Sequence, residues 1–163
     1  MKKILITRHA EASSSSNLGT DFSRPLTELG LRDCQLIGKE LENKNFRPDL
    51  SIISSSIRTI QTYENLSKFL NLESNKLDIK DSLYNIGFDD FISMLKIINS
   101  EFKSVMVVGH NPTMSIFAKK YSDSKINQFS PGSSALFSCD ISSWGLIDEN
   151  LKFEYFIKPE DFR

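Results

Sequence analysis

Hydrophobic and polar positions fall along the chain in blocks that change period. Ile4-Leu5-Ile6-Thr7 is a nearly continuous apolar run that stops abruptly at charge, which reads as a short buried strand. Ser13 to Ser16, with Asn17, Gly19 and Asp21, form a polar surface loop rather than a domain linker. Pro25-Leu26-Thr27 introduces a helix. Thr27 suits its N-cap, Glu28 complements the dipole in its first turn, and Leu31, Cys34, Ile37 and Leu41 follow helical spacing. After Pro48-Asp49, Leu50 to Ile53 is a second short strand. Ser54-Ser55-Ser56 leads into a helix over about Ile57 to Leu70, with Ser55 or Ser56 as cap. Leu77 to Ile79 reads as a third short strand. Phe88, Phe91, Ile92, Leu95 and Ile98 mark an amphipathic helix, and Val105 to Val108 is the clearest strand of the chain. A further helix starts near Pro112, a residue tolerated in a first helical turn. Ser134 to Asp140 and Leu151 to Ile157 are late strands, separated by a turn around Gly145 to Asn150.

Strand and helix therefore alternate about four times before two final strands. This order predicts an α/β fold, a three-layer α/β/α sandwich with a mainly parallel sheet and helices on both faces. The chain of 163 residues shows no internal repeat and no strong linker, so residues 1–163 are expected to form one domain.

Composition narrows the function classes. A net charge of -1 gives no general attraction to nucleic acid or to an anionic membrane surface, so any phosphate recognition must come from local charge. Cys34 and Cys139 sit in segments of regular apolar period and form no CxxC pair, which fits buried structural thiols and a reducing cytoplasm. Lys2-Lys3 followed by Ile4-Leu5-Ile6 and Ala10-Glu11-Ala12 imitates a secretory leader, but the apolar run is too short and Arg8 and His9 interrupt it. No stretch approaches the ~20 apolar residues needed to span a bilayer. A cytoplasmic location is the expectation.

The chemistry gathers at strand ends. The two histidines, His9 and His110, each directly follow a predicted strand. Ligands of open α/β sheets bind beyond the carboxyl ends of the strands, so neighbouring parallel strands would bring both imidazoles to one crevice. Arg8 precedes His9. Arg58 falls in the first turn of the helix after the second strand, where free N–H groups and the dipole favour an anion. A guanidinium fork there matches phosphate oxygens. A largely neutral histidine can attack phosphorus, and fixed cations can stabilise the equatorial oxygens in transit. HxxxH, CxxC and GxxxxGK[ST] patterns are absent, so no metal and no cofactor is expected.

Arg8-His9 after the first strand, Ser55-Ser56-Ile57-Arg58-Thr59 with Gln61-Thr62 after the second, and Gly109-His110-Asn111-Pro112 after a later one resemble the histidine phosphatase superfamily, with its phosphoglycerate mutase-like fold. Short length and Asp21-Phe22-Ser23-Arg24-Pro25-Leu26-Thr27-Glu28-Leu29-Gly30 look like its SixA branch, whose bacterial members dephosphorylate phosphohistidine on signalling proteins. The resemblance implies His9 as nucleophile, and Arg8, Arg58 and His110 as the groups that hold the phosphoryl oxygens. Arg24 and Asn111 are substrate-binding candidates; Arg24 either assists or orders the loop beside the site. Two departures stand out. Ala10 replaces the usual glycine of Arg-His-Gly, a costly change if the position needs positive φ. Ser82 stands where many superfamily members carry a glutamate acid, with Asp81 one residue off as the candidate acid.

A general acid is worth about 10²–10⁴-fold when an alkoxide must leave. A site without one can still turn over an N–P bond, because imidazole is a better leaving group. The expected reaction is thus metal-independent: His9 attacks in line, Arg8, Arg58 and protonated His110 hold the oxygens, and water hydrolyses phospho-His9. The expected partner is a histidine-phosphorylated protein. The alternatives are a small-molecule phosphomonoesterase, which Asp81 as a working acid would favour, and a phosphate-binding module without catalysis.

Overall fold

The computed structural model describes residues 1–149 and 151–163. Six strands form one sheet: β1 (Lys2–Arg8), β2 (Leu50–Ser54), β3 (Lys76–Lys80), β4 (Ser104–Gly109), β5 (Ser134–Cys139) and β6 (Lys152–Ile157). Their order is β3-β2-β4-β1-β5-β6. Neighbours from β3 to β1 run parallel, and β5 and β6 add antiparallel pairs at one edge. Four helices intervene: α1 (Glu28–Asn43), α2 (Ile57–Ser67), α3 (Phe88–Lys96) and α4 (Thr113–Tyr121). The predicted turn around Gly145 to Asn150 is a 3₁₀ helix over Trp144–Glu149, and Asn150 itself lies outside the described residues.

Strand period divides the core. Ile4, Ile6, Val105, Val107, Ala135 and Phe137 face one side and pack with Phe91, Leu95 and Phe117 of α3 and α4. Leu5, Met106, Val108 and Leu136 face the other and pack with Cys34, Ile37, Leu41 and Leu66 of α1 and α2. Side chains of successive strand residues point to opposite faces, so these near-continuous apolar runs require helices on both faces. This is the three-layer sandwich. No helix among the described residues is long and apolar enough to cross a membrane.

Local chemistry sets where α1 starts. Thr27 Oγ1 accepts from the Gly30 amide at 3.0 Å, as an N-cap should. The helix then runs against the segment that leaves β1: a Cβ on Gly30 would lie 2.2 Å from the Glu11 carbonyl oxygen. Leu31 departs from expectation and is 37% exposed, because the buried stripe runs instead through Gly30, Asp33, Cys34, Ile37, Gly38 and Leu41. Helix α2 ends at Ser67, short of Leu70, where the Phe69 and Leu70 amides turn to the Leu66 and Ser67 carbonyls. Ser56 holds its N-cap position without a side-chain capping bond.

Candidate active site

The register of the sheet places the site. Arg8 of β1 pairs with Gly109 of β4 on parallel neighbours, so the next residues, His9 and His110, leave the sheet side by side. Their ring centroids are 5.3 Å apart. The His9 backbone is pinned on both sides, its amide donating to the Gly109 carbonyl and its carbonyl accepting from the Gly132 amide, both at 3.0 Å. β2 lies on the other side of β4, and the helix that follows it carries Arg58 into the same crevice.

His9 is 8% exposed, and its Nδ1 lies 2.7 Å from the Ala10 carbonyl. A carbonyl only accepts, so Nδ1 carries the proton and Nε2 carries the lone pair. The Ala10 peptide is itself clamped, its amide donating to Thr62 Oγ1 of α2 at 3.0 Å. Ala10 is fully buried, and the described non-glycine residues with positive φ are Asn45, Asp123 and Ser124. The alanine in place of the family glycine is therefore without backbone strain. Burial lowers the His9 pKa to about 4, with the Arg58, Arg8 and Arg24 charges adding to the effect against the Ala10 hydrogen bond.

Arg58 joins the parts. Its Nε donates to His9 Nε2 at 3.3 Å, one terminal nitrogen lies 3.4 Å from His110 Nδ1, and the other donates to the Asp21 carbonyl at 2.7 Å. The nitrogen that faces His110 also pairs with Asp21 Oδ2 at 3.1 Å. His110 Nε2 meets Ser54 Oγ at 2.8 Å, with Ser56 Oγ at 3.5 Å. Burial, His9 and Arg58 lower the His110 pKa to about 3. The expected imidazolium is thus neutral in the free site, since burial among cations disfavours a further positive charge. Arg8 donates to the Phe129 carbonyl at 3.1 Å, and its buried Nε has no hydrogen-bond partner among the described residues.

The structure separates the remaining candidates. Arg24 binds Asp21 Oδ1 through Nε and a terminal nitrogen, both at 2.9 Å, and the Ser13 carbonyl at 2.8 Å. It orders the loop beside the site and adds charge to it. Asn111 donates to the Phe129 carbonyl at 3.3 Å, the carbonyl that Arg8 also engages, and accepts from the Ser115 amide at 3.2 Å. Asp81 does not join the group. A 3₁₀ turn over Asp81–Leu83 drives Leu83 into the core and leaves the Asp81 and Ser82 side chains exposed, without a hydrogen bond or ion pair to a site residue.

Two site residues escaped the sequence reading. Asp21 bonds both arginines and accepts from the Tyr84 hydroxyl, which, with the guanidinium groups, lowers its pKa to about 2. Tyr84 sets its ring edge-on to His110 at 5.5 Å, with the Arg58 guanidinium 5.7 Å from its centroid. Asp21 lies three residues before Arg24, a spacing that signals the pairing; Tyr84 carries no such signal. Three guanidinium groups against one carboxylate leave the free site with excess positive charge, suited to a phosphoryl dianion. Among the described residues no three His, Cys, Asp or Glu side chains gather as a metal site.

Both imidazoles titrate below their unfolded value of 6.5. Between the two states' pKa values the unfolded chain binds more protons, so stability rises with pH through that window and is lost as pH falls from about 6.5 toward about 4 and 3. Denaturant midpoints measured along a pH series should fall through this range, and the double variant His9→Gln/His110→Gln should flatten the slope. Equal slopes in both proteins would remove the histidines as its source.

Comparison with known proteins bears on the fold and the family. No curated protein matches the chain significantly. A proposed phosphohistidine phosphatase SixA of Agrobacterium tumefaciens superposes with TM-score 0.81 at 23% identity, over 97% of this chain and 98% of that one. A second, from Nakamurella multipartitia, gives 0.80 at 23% over 97% and 96%. The protein histidine phosphatase SixA complexed with tungstate gives 0.82 at 22%, over 99% of each chain. These likenesses establish the phosphoglycerate mutase-like fold. Residues 4–103 match the family model, a span holding Arg8, His9, Asp21, Arg24, Arg58 and Tyr84, with His110 beyond it. The chain belongs to the histidine phosphatase superfamily, branch 1.

Proposed function

We propose that this chain is a metal-independent phosphohistidine phosphatase that acts through phospho-His9 on a histidine-phosphorylated protein. One observation carries the reading: an unprotonated His9 Nε2 faces fixed cations in a site where, among the described residues, no carboxylic acid is placed to protonate a leaving group. Asp81 faces solvent, and Asp21 is held ionised by its partners. An alkoxide would leave unassisted there, whereas an imidazole leaves neutral. The SixA phosphatases that share the fold lend the same substrate class.

In the first step the His9 Nε2 lone pair forms a bond to phosphorus as the bond to the leaving nitrogen breaks. The imidazole of the substrate takes that electron pair. In the second step water attacks phospho-His9, the electron pair of the breaking bond returns to Nε2, and phosphate leaves. Arg58 and the unpartnered Arg8 Nε stabilise the equatorial oxygens in both steps. The phosphoryl charge offsets the cations around His110, so Nδ1 takes a proton and donates to an oxygen as the substrate binds.

Turnover of a phosphohistidine protein, an aryl phosphate and a sugar phosphate, each with chelator present, tests this. The phosphohistidine protein should exceed the sugar phosphate by about 10²-fold or more in kcat/KM, the worth of the missing acid. The reverse order would assign the site to small-molecule phosphomonoesters. Loss of activity in chelator would overturn the metal-independent reaction.

A further inference from the structure

We propose that the Tyr84 hydroxyl, oriented by Asp21, is an acceptor subsite for the leaving imidazole, binding the ring N–H of the nitrogen that does not carry phosphorus. The inference rests on the phosphohistidine reading above. Its basis is the direction of one proton. Tyr84 Oη donates to Asp21 Oδ2, a carboxylate whose two oxygens also take Arg58 and Arg24. A carboxylate in these bonds is an acceptor, so the phenol proton points at Asp21; of the two Oη lone pairs one is turned to Arg58 and the other can accept from a ligand. A hydroxyl committed in this way is an acceptor toward anything that enters the site.

The place also fits. The Tyr84 ring stands edge-on to His110 at 5.5 Å and against Phe22 at 5.1 Å, and the Phe22 ring is 38% exposed. The site floor is His9, and Arg58 spans from it to Asp21 through contacts of 3.3 and 3.1 Å. Tyr84 and Phe22 thus border the crevice beside His110 and Asp21, where a group leaving the phosphoryl site can meet them. Their aromatic edges suit a flat ring.

The chemistry gives the contact a purpose. A phosphohistidine ring that keeps a proton on its second nitrogen releases neutral imidazole: the phosphorus–nitrogen bond breaks, its electron pair goes to the released nitrogen, and the other N–H stays in place. A ring without that proton would have to leave as an anion. An acceptor backed by a carboxylate holds the proton on the substrate, which does the work of a general acid without moving a proton. Asp21 acts through Tyr84 and is a positioning residue. The groups that face the Oη are Asp21, Arg58 and His110, with Arg24 behind Asp21; Asp21 also raises the phenol pKa, which keeps it from titrating in the imidazole range.

The test compares wild type and Tyr84→Phe on free phosphohistidine and on p-nitrophenyl phosphate, across the pH range in which an imidazole titrates. Tyr84→Phe leaves the Asp21 bonds to Arg58 and Arg24 in place. It should lower kcat/KM for phosphohistidine about tenfold more than for p-nitrophenyl phosphate, the loss expected for one hydrogen bond to a charged ring. The alkaline limb of the kcat profile for phosphohistidine should move to lower pH, with no such movement on the aryl substrate. Asp21→Asn, which removes the carboxylate charge behind the phenol, should shift the same limb. Equal losses on both substrates with an unmoved limb would overturn the subsite and leave the phosphohistidine reading standing. Failure of wild type to turn over phosphohistidine while it cleaves p-nitrophenyl phosphate would overturn both.

Discussion

His9→Ala is expected to lower turnover by about 10⁴-fold or more on phosphoramidates and phosphate esters alike, the scale seen when an attacking group is removed outright. The size of the effect follows from the geometry of one ring. Nδ1 is fixed on the Ala10 carbonyl at 2.7 Å, so the lone pair for attack can sit only on Nε2, and Arg58 Nε points at it from 3.3 Å. With a pKa near 4, Nε2 is unprotonated at neutral pH without help from a base. Rapid acid and alkaline quenches of wild type should trap an acid-labile, base-stable phosphate on His9, and His9→Ala should show none. The variant should keep its affinity for inorganic phosphate within a few fold, because Arg8, Arg58 and His110 remain. Substantial turnover without His9, or a trapped phosphate on His110 instead, would end the assignment. Loss of phosphate binding together with turnover would make His9 a binding group, not the nucleophile.

Local pattern was enough for the strands and for the strand-end histidines. Ile4-Leu5-Ile6 and Val105 to Val108 are apolar on both faces, and only a sheet covered twice buries such runs. The rule that ligands sit at carboxyl ends then pointed to His9 and His110, and the pairing of Arg8 with Gly109 supplies the adjacency that the rule assumes. What stayed hidden was set by tertiary contacts. The buried face of α1 includes Gly30 and Gly38, which face Glu11 backbone and the Phe69 ring; glycine has no side chain to signal burial, so hydropathy alone points to Leu31 instead. Asp33 is 1% exposed because Arg163, 130 positions away, pairs with it at 2.7 and 3.0 Å. Tyr84 and Asp21 lie 63 positions apart, and neither spacing nor hydropathy announces a bond across that distance. Ala10 was readable as a departure from the family pattern, but its harmlessness depended on backbone angles that a sequence does not carry.

The second large effect is expected at Arg58, where two substitutions separate charge from shape. The guanidinium is 5% exposed and touches His9, His110 and both the carbonyl and the carboxylate of Asp21. Its fork is a rigid template: one side meets His9 and His110, and the other is anchored to the loop at Asp21. Arg58→Met removes charge and fork together. It should lower kcat by about 10²–10³-fold, the cost of one fixed donor at developing charge. The His9 and His110 pKa values should both rise, since the Arg58 charge contributes to lowering each. Arg58→Lys keeps a positive charge but offers a compact ammonium in place of the fork. In this variant the imidazole pKa values should stay close to wild type while kcat still falls by about 10²-fold, because a point charge cannot bridge Asp21 and the phosphoryl oxygens at once. NMR titration of the two imidazoles, read beside kcat, separates the outcomes. If lysine restored turnover, charge alone would be the contribution of Arg58. If methionine left both imidazoles titrating as before, the field that keeps His9 unprotonated would have to come from burial and the neighbouring arginines.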